Sequence, residues 1–381
     1  MFRFKKLFRK SSVHQAKSIQ NQFSGAQMEQ IRLGREAGLS ERQIRFYAKP
    51  EIDCMEMWDL REQLNFILDV PFLIEKYRPD LSLVGQTRYL GWIATMGGIC
   101  GDIAGSRYEF YDGDRSKISF ETAISTHSSM TDDSILMLAT LEAVRKTETD
   151  SELRQLMAEH EHNFTEEFLP FGDTAYSKTY REFYKRYPAA GYGGGFVHWA
   201  LEGKGPYKSF GNGSAMRVAP IGEAFESVED VILHAIASAA CTHNHPEGIK
   251  GAVVTAVCIW MARHGCTKDE MLTYVKTHYG NQDLIKKYTM KEVSSCKQGG
   301  YAVSCQFTVP AAVTCFVESS SYEECISNAL SFEGDSDTIA AISGAIAAAY
   351  YGDVSDHVRR ILREKLSEPL LEFLFPLGKG E

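Results

Sequence analysis

Apolar residues recur with the period of an α-helix along most of the chain. From about residue 88 onward, six stretches space their apolar positions three or four residues apart, and the alternating runs typical of strands are scarce. The last stretch is rich in alanine and apolar on all sides, as expected of a helix in the middle of a bundle. We therefore predict an all-α fold. The six stretches are 89–104, 132–145, 228–241, 247–264, the region around Ile326, and 338–351.

The N-terminal part of the chain has a different pattern. Its first 22 residues are polar and basic without a hydrophobic period, whereas Met28 to Arg32 and Met57 to Arg61 share a spacing of two apolar residues and an arginine. We predict a small helical N-terminal extension, with docking of a partner protein and simple capping of the large domain as equal alternatives. The predicted segments are a disordered basic lead-in (1–22), a repeat-like helical accessory segment (23–70), a linker (71–87) and a catalytic domain (88–381).

Composition narrows the class of protein. A net charge of -9 argues against a direct nucleic-acid partner, because phosphate binding needs a positive field. The basic start is followed by the polar stretch 11–22, which predicts no secretory signal peptide, and no uncharged run reaches the roughly 20 residues of a membrane span. Nine cysteines without a CxxC pair are typical of reduced thiols. We expect a cytoplasmic protein without a membrane span.

Two helices are predicted to begin with a hydroxyl and two carboxylates each. These starts are Thr131-Asp132-Asp133-Ser134 and Gly334-Asp335-Ser336-Asp337-Thr338. A helix N-terminus explains one acid in each start comfortably, but not both. Four carboxylates that enter a hydrophobic bundle are costly to desolvate unless cations neutralise them. Because all the donors are oxygens, we expect Mg²⁺ or Mn²⁺, with Ca²⁺ as an alternative and zinc disfavoured.

A third acidic segment lies in the first predicted helix of the large domain. Gly97, Gly101 and Gly105 are four residues apart and therefore share one helix face, which by itself indicates only close packing. Asp102 lies within this run, and Glu109 follows it. Both acids are candidates to face the same metal centre.

Three further segments have the composition of a substrate cradle: 191–196, 211–217 and 242–247. The first two are rich in glycine, which lets backbone N–H groups approach phosphate closely. The third contains His243 and His245, but no cysteine or third histidine stands at zinc-ligand spacing. A buried or phosphate-contacting histidine is therefore favoured over a zinc ligand.

In this order, the motifs T-D-D, N-G-S-A-M-R, T-H-x-H-P and G-D-S-D-T resemble the ADP-ribosylglycohydrolase family, which includes the dinitrogenase-reductase-activating glycohydrolases. The resemblance spans residues 90–352. It implies a compact orthogonal helical bundle that holds two Mg²⁺ or Mn²⁺ ions. Two departures from the common pattern are Ser134 in place of threonine and Glu333 in place of glycine.

The resemblance also implies roles for individual residues. The expected metal ligands are Thr131, Asp132, Asp133, Asp335, Asp337 and Thr338. The expected catalytic residues are Glu109, Asp132, Asp133 and Asp335. The expected substrate-binding residues are Gly193, Gly194, Gly195, Asn212, Gly213, Ser214, Met216, Arg217 and His243.

The function implied is that of a metal-dependent hydrolase. Two close divalent ions would activate a water that cleaves the glycosidic bond between ADP-ribose and a protein side chain or a small molecule. The expected partner is therefore an ADP-ribosylated protein or an ADP-ribose-containing small molecule. Two alternatives stay open: a catalytically degenerate ADP-ribose-binding protein and a nucleotide phosphohydrolase, which would release AMP.

Overall fold

The computed structural model of the chain is built from helices, which confirms the all-α prediction. It describes residues 23–64, 69–85, 91–146, 174–203, 205–279, 302–332 and 334–375, so the predicted lead-in and Glu333 lie outside the described residues. The α-helices in these ranges are α1 Gly25–Glu36, α2 Glu41–Tyr47, α3 Cys54–Leu64, α4 Val70–Tyr77, α5 Ile93–Gly105, α6 Phe120–Ala123, α7 Asp132–Lys146, α8 Ala175–Arg186, α9 Gly194–Glu202, α10 Ala219–Ala224, α11 Val228–Ala240, α12 Pro246–Arg263, α13 Lys268–Tyr279, α14 Cys305–Val317, α15 Tyr322–Leu330, α16 Ser336–Tyr351, α17 Asp356–Lys365 and α18 Glu368–Leu374.

The six stretches predicted to be helical correspond to α5, α7, α11, α12, α15 and α16. In the described ranges, β-pairing is limited to one isolated bridge between Gly211 and Ser304. None of the described helices has the length and apolar character that crossing a membrane requires.

Helices α5 and α16 form the centre of the large core and touch through their backbones. A Cβ atom on Gly97 would lie 2.4 Å from Cβ of Ala348, and one on Gly101 would lie 2.2 Å from the carbonyl oxygen of Ala340. The shared glycine face predicted from the sequence is therefore the surface that lets the two helices approach. Because both helices carry acids at this contact, their close approach brings Asp102 and Asp337 together.

Helix α5 is fixed at its start by a distant carboxylate. Its N-cap residue, Trp92, makes no side-chain capping bond, so the first backbone N–H groups need other acceptors. Glu223 of α10 accepts from the backbone N–H of Ala94 at 2.6 Å and of Thr95 at 2.9 Å, and from the Thr95 hydroxyl at 2.6 Å. Burial raises the pKa of Glu223 to about 7. The position of α5 in the core therefore depends on this buried carboxyl group.

The N-terminal extension has a small core of its own. Six residues of α1 to α3 and the turns between them form a cluster separate from the large core: Ile31, Leu39, Ile44, Tyr47, Met57 and Leu64. The two predicted amphipathic helices correspond to α1 and α3, whereas α2 was not predicted. Ser40 is the N-cap of α2 and forms a capping box with Gln43.

The stretch predicted as a linker contains helix α4. Pro71 lies in the first turn of this helix. Proline is well tolerated there because its missing N–H would have no partner. The Asp69 side chain caps the helix by accepting from the backbone N–H of Phe72 at 3.3 Å. Val70 and Tyr77 are buried in the large core. The segment therefore packs as a helix, while the proposed domain boundaries stay predictions.

The ring of His278 in α13 packs against Tyr77 and Tyr274, at centroid distances of 4.8 Å and 4.7 Å. Burial, with the charges of Lys76 and Lys250, lowers the pKa of His278 from 6.5 to about 4. Because the folded pKa is depressed, the stabilising effect of the neutral ring is complete above pH 6.5 and is lost as the pH falls toward 4. Over this pH range, we expect the free energy of unfolding of His278→Gln to fall by about 1–2 kcal/mol less than that of the wild type. Urea unfolding at several pH values measures the difference.

The matched control is His127→Gln, because His127 is exposed to solvent. Its unfolding free energy should keep the pH dependence of the wild type. Equal pH dependence in the His278 variant and the wild type would contradict the assignment.

Candidate active site

A cleft of about 330 Å³ lies at the N-terminal ends of α7 and α16. The structure brings most of the residues predicted for the site to its walls, although they come from six separate parts of the sequence. The predicted residues that line it are Glu109, Thr131, Asp132, Asp133, Gly193, Gly195, Asn212, Gly213, Met216, Arg217, His243, Asp335, Asp337 and Thr338. Tyr207 and Ser209 also line it, and neither was predicted, because no sequence motif includes them.

The acidic end of the cleft is formed where α7 and α16 begin. The Thr338 hydroxyl donates to Oδ2 of Asp133 at 3.2 Å, which ties the two helix starts together. Carboxylate oxygens of Asp102, Asp133 and Asp337 lie within 4.8 Å of one another, and so do those of Glu109, Asp335 and Asp337. Asp337 belongs to both groups. The arrangement therefore has the form of two adjacent cation sites that share one carboxylate.

The electrostatics of this end also fit cations. Burial, followed by neighbouring carboxylates, raises the pKa of Asp133 and Asp337 well above the ordinary value. The same causes raise the pKa of Asp132 to about 8. Among the described residues, Oδ1 of Asp133 is buried and has no hydrogen-bond partner. Divalent cations would neutralise this repulsion and occupy the unpartnered oxygen, and hard ions prefer such oxygen donors.

Asp132 differs from the other predicted ligands. It belongs to neither of the two carboxylate groups found among the described residues. Its Oδ1 lies 3.8 Å from the position that a Cβ atom on Gly191 would occupy, so it faces the glycine-rich loop. Its predicted role as a metal ligand stays a prediction.

Asp102 holds the start of α7 in place. Its Oδ1 accepts from the Thr131 hydroxyl at 2.8 Å, and its Oδ2 accepts from the backbone N–H of Thr131 at 2.9 Å and of Ser134 at 3.1 Å, and from the Ser134 hydroxyl. The carboxylate thus satisfies N–H donors that a helix start leaves free. Asp102 therefore positions Thr131 and Ser134 at the start of α7.

We expect Asp102→Asn to weaken divalent-cation binding by about 10–100-fold, because the amide nitrogen cannot accept from the donors at the start of α7. Isothermal titration with Mn²⁺ measures the dissociation constant. Turnover, where a substrate is available, should fall at low Mn²⁺ and recover at high Mn²⁺. An unchanged Mn²⁺ affinity would show that Asp102 is not needed to position the ligands.

Asn212, predicted to bind substrate, also has a positioning contact. Its side-chain amide donates to Oδ2 of Asp335 at 2.7 Å and to the Thr308 hydroxyl at 3.0 Å. Thr308 was not predicted, because a threonine inside an apolar helix such as α14 has no distinguishing pattern. Ser214 is fully buried, and its hydroxyl donates to the Gly248 carbonyl at 2.8 Å, which ties the loop to α12. The structure therefore places Ser214 behind the cleft wall.

The glycines of the predicted cradle allow close packing around the cleft. A Cβ atom on Gly195 would lie 2.8 Å from the Tyr207 ring, and one on Gly213 would lie 3.1 Å from Nε2 of His243. Gly193 lines the cleft and precedes Gly194, the first residue of α9. Backbone N–H groups at this helix start and loop are available to an anionic ligand.

A buried series of hydrogen-bonded side chains connects Arg217 to His243, and both of these residues line the cleft. Arg217 is fully buried, its guanidinium lies 4.3 Å from the centre of the Tyr180 ring, and it donates to the Ser238 carbonyl at 2.5 Å and to the Thr242 hydroxyl at 2.9 Å. That hydroxyl lies 2.7 Å from Nδ1 of His243. Burial and the charge of Arg217 lower the pKa of His243 well below its ordinary value. His243 is therefore neutral.

The all-α bundle and its cleft define a helical protein with a buried acidic centre. A model of the family described as ADP-ribosylglycohydrolase matches residues 85–375, and the chain belongs to this family. It is therefore an enzyme of the ADP-ribosylglycohydrolase class, which confirms the resemblance seen in the sequence motifs.

Several known proteins are similar to the chain. The "ADP-ribosylhydrolase ARH3" of Mus musculus is 26% identical over 341 residues, covering 70% of this chain and 84% of the mouse protein. The "ADP-ribosylarginine hydrolase Tri1" of Pseudomonas putida is 26% identical over 163 residues, covering 40% of this chain and 43% of its own. A solved structure titled "ADP-ribosylglycohydrolase-related protein complex" is 20% identical with a TM-score of 0.49, covering 76% of this chain and 99% of that one.

Proposed function

We propose that the chain is a hydrolase that needs two Mg²⁺ or Mn²⁺ ions and cleaves the glycosidic bond between ADP-ribose and a protein side chain or a small molecule. The observation that carries the proposal is the pair of carboxylate groups that share Asp337 at one end of a cleft. The mouse and Pseudomonas putida relatives are named as an ADP-ribosylhydrolase and an ADP-ribosylarginine hydrolase, which supports an ADP-ribosylated substrate.

The residues that would hold the ions follow from the two groups. Asp133 and Asp337, with the hydroxyls of Thr131 and Thr338 nearby, would hold one ion. Asp335 and Asp337 would hold the second, with the carboxyl group of Glu109 close to both. When bound, such ions chelate oxygens and lower the pKa of a coordinated water, which makes it nucleophilic near neutral pH.

Groups of both signs of charge line the cleft and would orient the substrate. Asp133 and Asp337 line it, and so does the buried Arg217, which comes from a different part of the chain. Among the described residues, Arg217 forms no ion pair with a carboxylate. A diphosphate would therefore favour the side of Arg217 and the glycine-rich loops, which places the ribose beside the acids and the cations they hold.

Glu109 is the proposed general acid. Partial desolvation and the charges of Asp335 and Asp102 raise the pKa of Glu109, so that its carboxyl group keeps a proton more readily than a free glutamate does. In the reaction, the bond from the anomeric carbon to the leaving nitrogen or oxygen breaks. A water oxygen bonds to that carbon as the leaving atom takes up the proton from Glu109, and the proton that this water gives up restores the carboxyl group of Glu109.

The test uses the purified chain with Mg²⁺ or Mn²⁺ and two substrates, an arginine-ADP-ribosylated peptide and a serine-ADP-ribosylated peptide. Free ADP-ribose is measured by mass spectrometry, beside an Asp335→Ala control. Release by the wild type alone would support the hydrolase and identify the linkage. AMP as the product would favour a phosphohydrolase, and ADP-ribose binding without release from these or small-molecule substrates would favour the degenerate binder.

We further propose that the protein acts in the cytosol. The eight described cysteines are all free thiols, and seven of them are buried. Reduced, buried cysteines are typical of proteins that do not rely on disulfides.

A further inference from the structure

We propose that Thr242 and Arg217 fix His243 in the neutral form protonated at Nε2, so that the cleft wall presents an N–H donor to an acceptor oxygen of the substrate. Thr242 and Arg217 are then positioning residues, because neither needs to touch the substrate itself. The inference rests on the proposed function only for the identity of the ligand. The position of the proton follows from the contacts within the chain.

The hydroxyl of Thr242 has a single proton and three polar neighbours. Arg217 can only donate, so the oxygen of Thr242 accepts from it at 2.9 Å. The hydroxyl proton is left for either the Ala239 carbonyl at 3.4 Å or Nδ1 of His243 at 2.7 Å. The shorter contact has the length of an ordinary strong O–H hydrogen bond, whereas the longer one is weak. Thr242 therefore donates to Nδ1, which leaves Nδ1 without a proton.

The charge of Arg217 favours the same form of the ring. A proton on Nδ1 would direct the positive end of the imidazole dipole toward the side on which the guanidinium lies, in a buried region where such repulsion is strong. With the proton on Nε2, the lone pair of Nδ1 faces Thr242 and Arg217 instead. Donation by Arg217 to the Thr242 oxygen also makes that hydroxyl a better donor.

The other nitrogen of the ring faces the cleft. His243 lines the cleft, and its Nε2 lies 3.1 Å from the position of a Cβ atom on Gly213 and 3.6 Å from that on Gly211. Within the described part of the chain, Nε2 has no hydrogen-bond partner. A protonated Nε2 is thus a donor without an acceptor, beside a glycine loop that admits close approach. A phosphate oxygen of ADP-ribose is the acceptor that suits this position.

The experiment reads the proton directly in the full-length protein. The chain contains 11 histidines, so nitrogen-15 NMR of histidine-labelled protein is recorded for the wild type and for His243→Gln, and the difference identifies the His243 signals. We expect Nδ1 to give a non-protonated signal and Nε2 a protonated one. A protonated Nδ1, in either the neutral or the charged ring, would overturn the proposal.

Variants then test the role of the proton in binding, with ADP-ribose itself as the probe in calorimetry. Thr242→Val removes the hydroxyl at constant shape and should weaken ADP-ribose binding about tenfold, whereas Thr242→Ser should restore it. Thr314→Val removes another buried hydroxyl, one that donates to the Pro310 carbonyl at 2.8 Å within α14, and should leave the His243 signals unchanged. Equal affinity of Thr242→Val and wild type would overturn the positioning role. Failure of the wild type to bind ADP-ribose would instead count against the proposed function, since the NMR result stands by itself.

Discussion

Replacing Asp337 by asparagine is expected to abolish turnover and, in the absence of divalent cations, to stabilise the protein. Asp337 is the carboxylate common to both groups of candidate ligands, so its loss disables both sites, and we expect turnover to fall by about 10³-fold or more. Without cations, the same substitution removes a buried charge whose neighbours are carboxylates. The melting temperature in chelator should therefore rise by a few degrees.

Cation-dependent stabilisation separates this result from a folding defect. A ligand that binds only the folded state raises its stability, so Mg²⁺ or Mn²⁺ should raise the melting temperature of the wild type but not of Asp337→Asn. The matched control is Asp353→Asn, because the Asp353 side chain is 72% exposed and lies on the surface. It should behave as the wild type in both measurements. A lower melting temperature of Asp337→Asn in chelator would show that Asp337 supports the fold rather than a cation site.

The helices were predicted correctly because their signals are local, and the two acid clusters could be recognised in the sequence for the same reason. The alanine-rich stretch that became α16 has no polar face, and a helix of that kind must lie inside a bundle. The hydroxyl and two acids that open α7 and α16 are each contained within five residues. Adjacent motifs of this kind can be read directly from the sequence, and so can the glycine face of α5.

The contacts that hold the site in shape were not predictable in the same way. Asp102 lies 29 residues before Thr131, Glu223 lies 128 residues after Thr95, and Asn212 lies 123 residues before Asp335. Each contact depends on how whole helices pack, and nothing in the sequence around either residue of a pair indicates its distant partner. Asp102 could therefore be named as a candidate ligand from the sequence, but its contacts with the start of α7 could not be foreseen.

The linker prediction illustrates a second limit. A proline such as Pro71 disrupts the interior of a helix but is well tolerated in its first turn. Only the capping residue before it distinguishes the two cases. Asp69 supplies that cap in the structure. The sequence contains both residues, but it does not show that Val70 and Tyr77 would find space in the large core.

Substitution of Gly101 by alanine is expected to destabilise the fold by about 2 kcal/mol or more. An added Cβ atom would lie 2.2 Å from the carbonyl oxygen and 2.6 Å from the carbonyl carbon of Ala340, so α5 and α16 must move apart. The gain in helix propensity from glycine to alanine, roughly 0.5–1 kcal/mol, is too small to offset this clash. Chemical unfolding measures the free-energy change. Because α5 carries Asp102 and α16 carries Asp337, Mn²⁺ affinity should fall as well.

Gly98 of the same helix provides the matched control. A Cβ atom there would first meet the flexible end of Met137, at 2.7 Å from its terminal methyl carbon, and would lie 3.2 Å from the carbonyl oxygen of Ala341, a much longer approach to the α16 backbone than at Gly101. A methionine side chain can adopt another rotamer, whereas a backbone carbonyl inside α16 cannot move alone. Gly98→Ala should therefore change the unfolding free energy by less than about 1 kcal/mol, since the gain in helix propensity offsets part of the clash. Equal losses in the two variants would mean that α5 and α16 do not depend on backbone contact at Gly101. Their packing would then have to be maintained elsewhere along the pair.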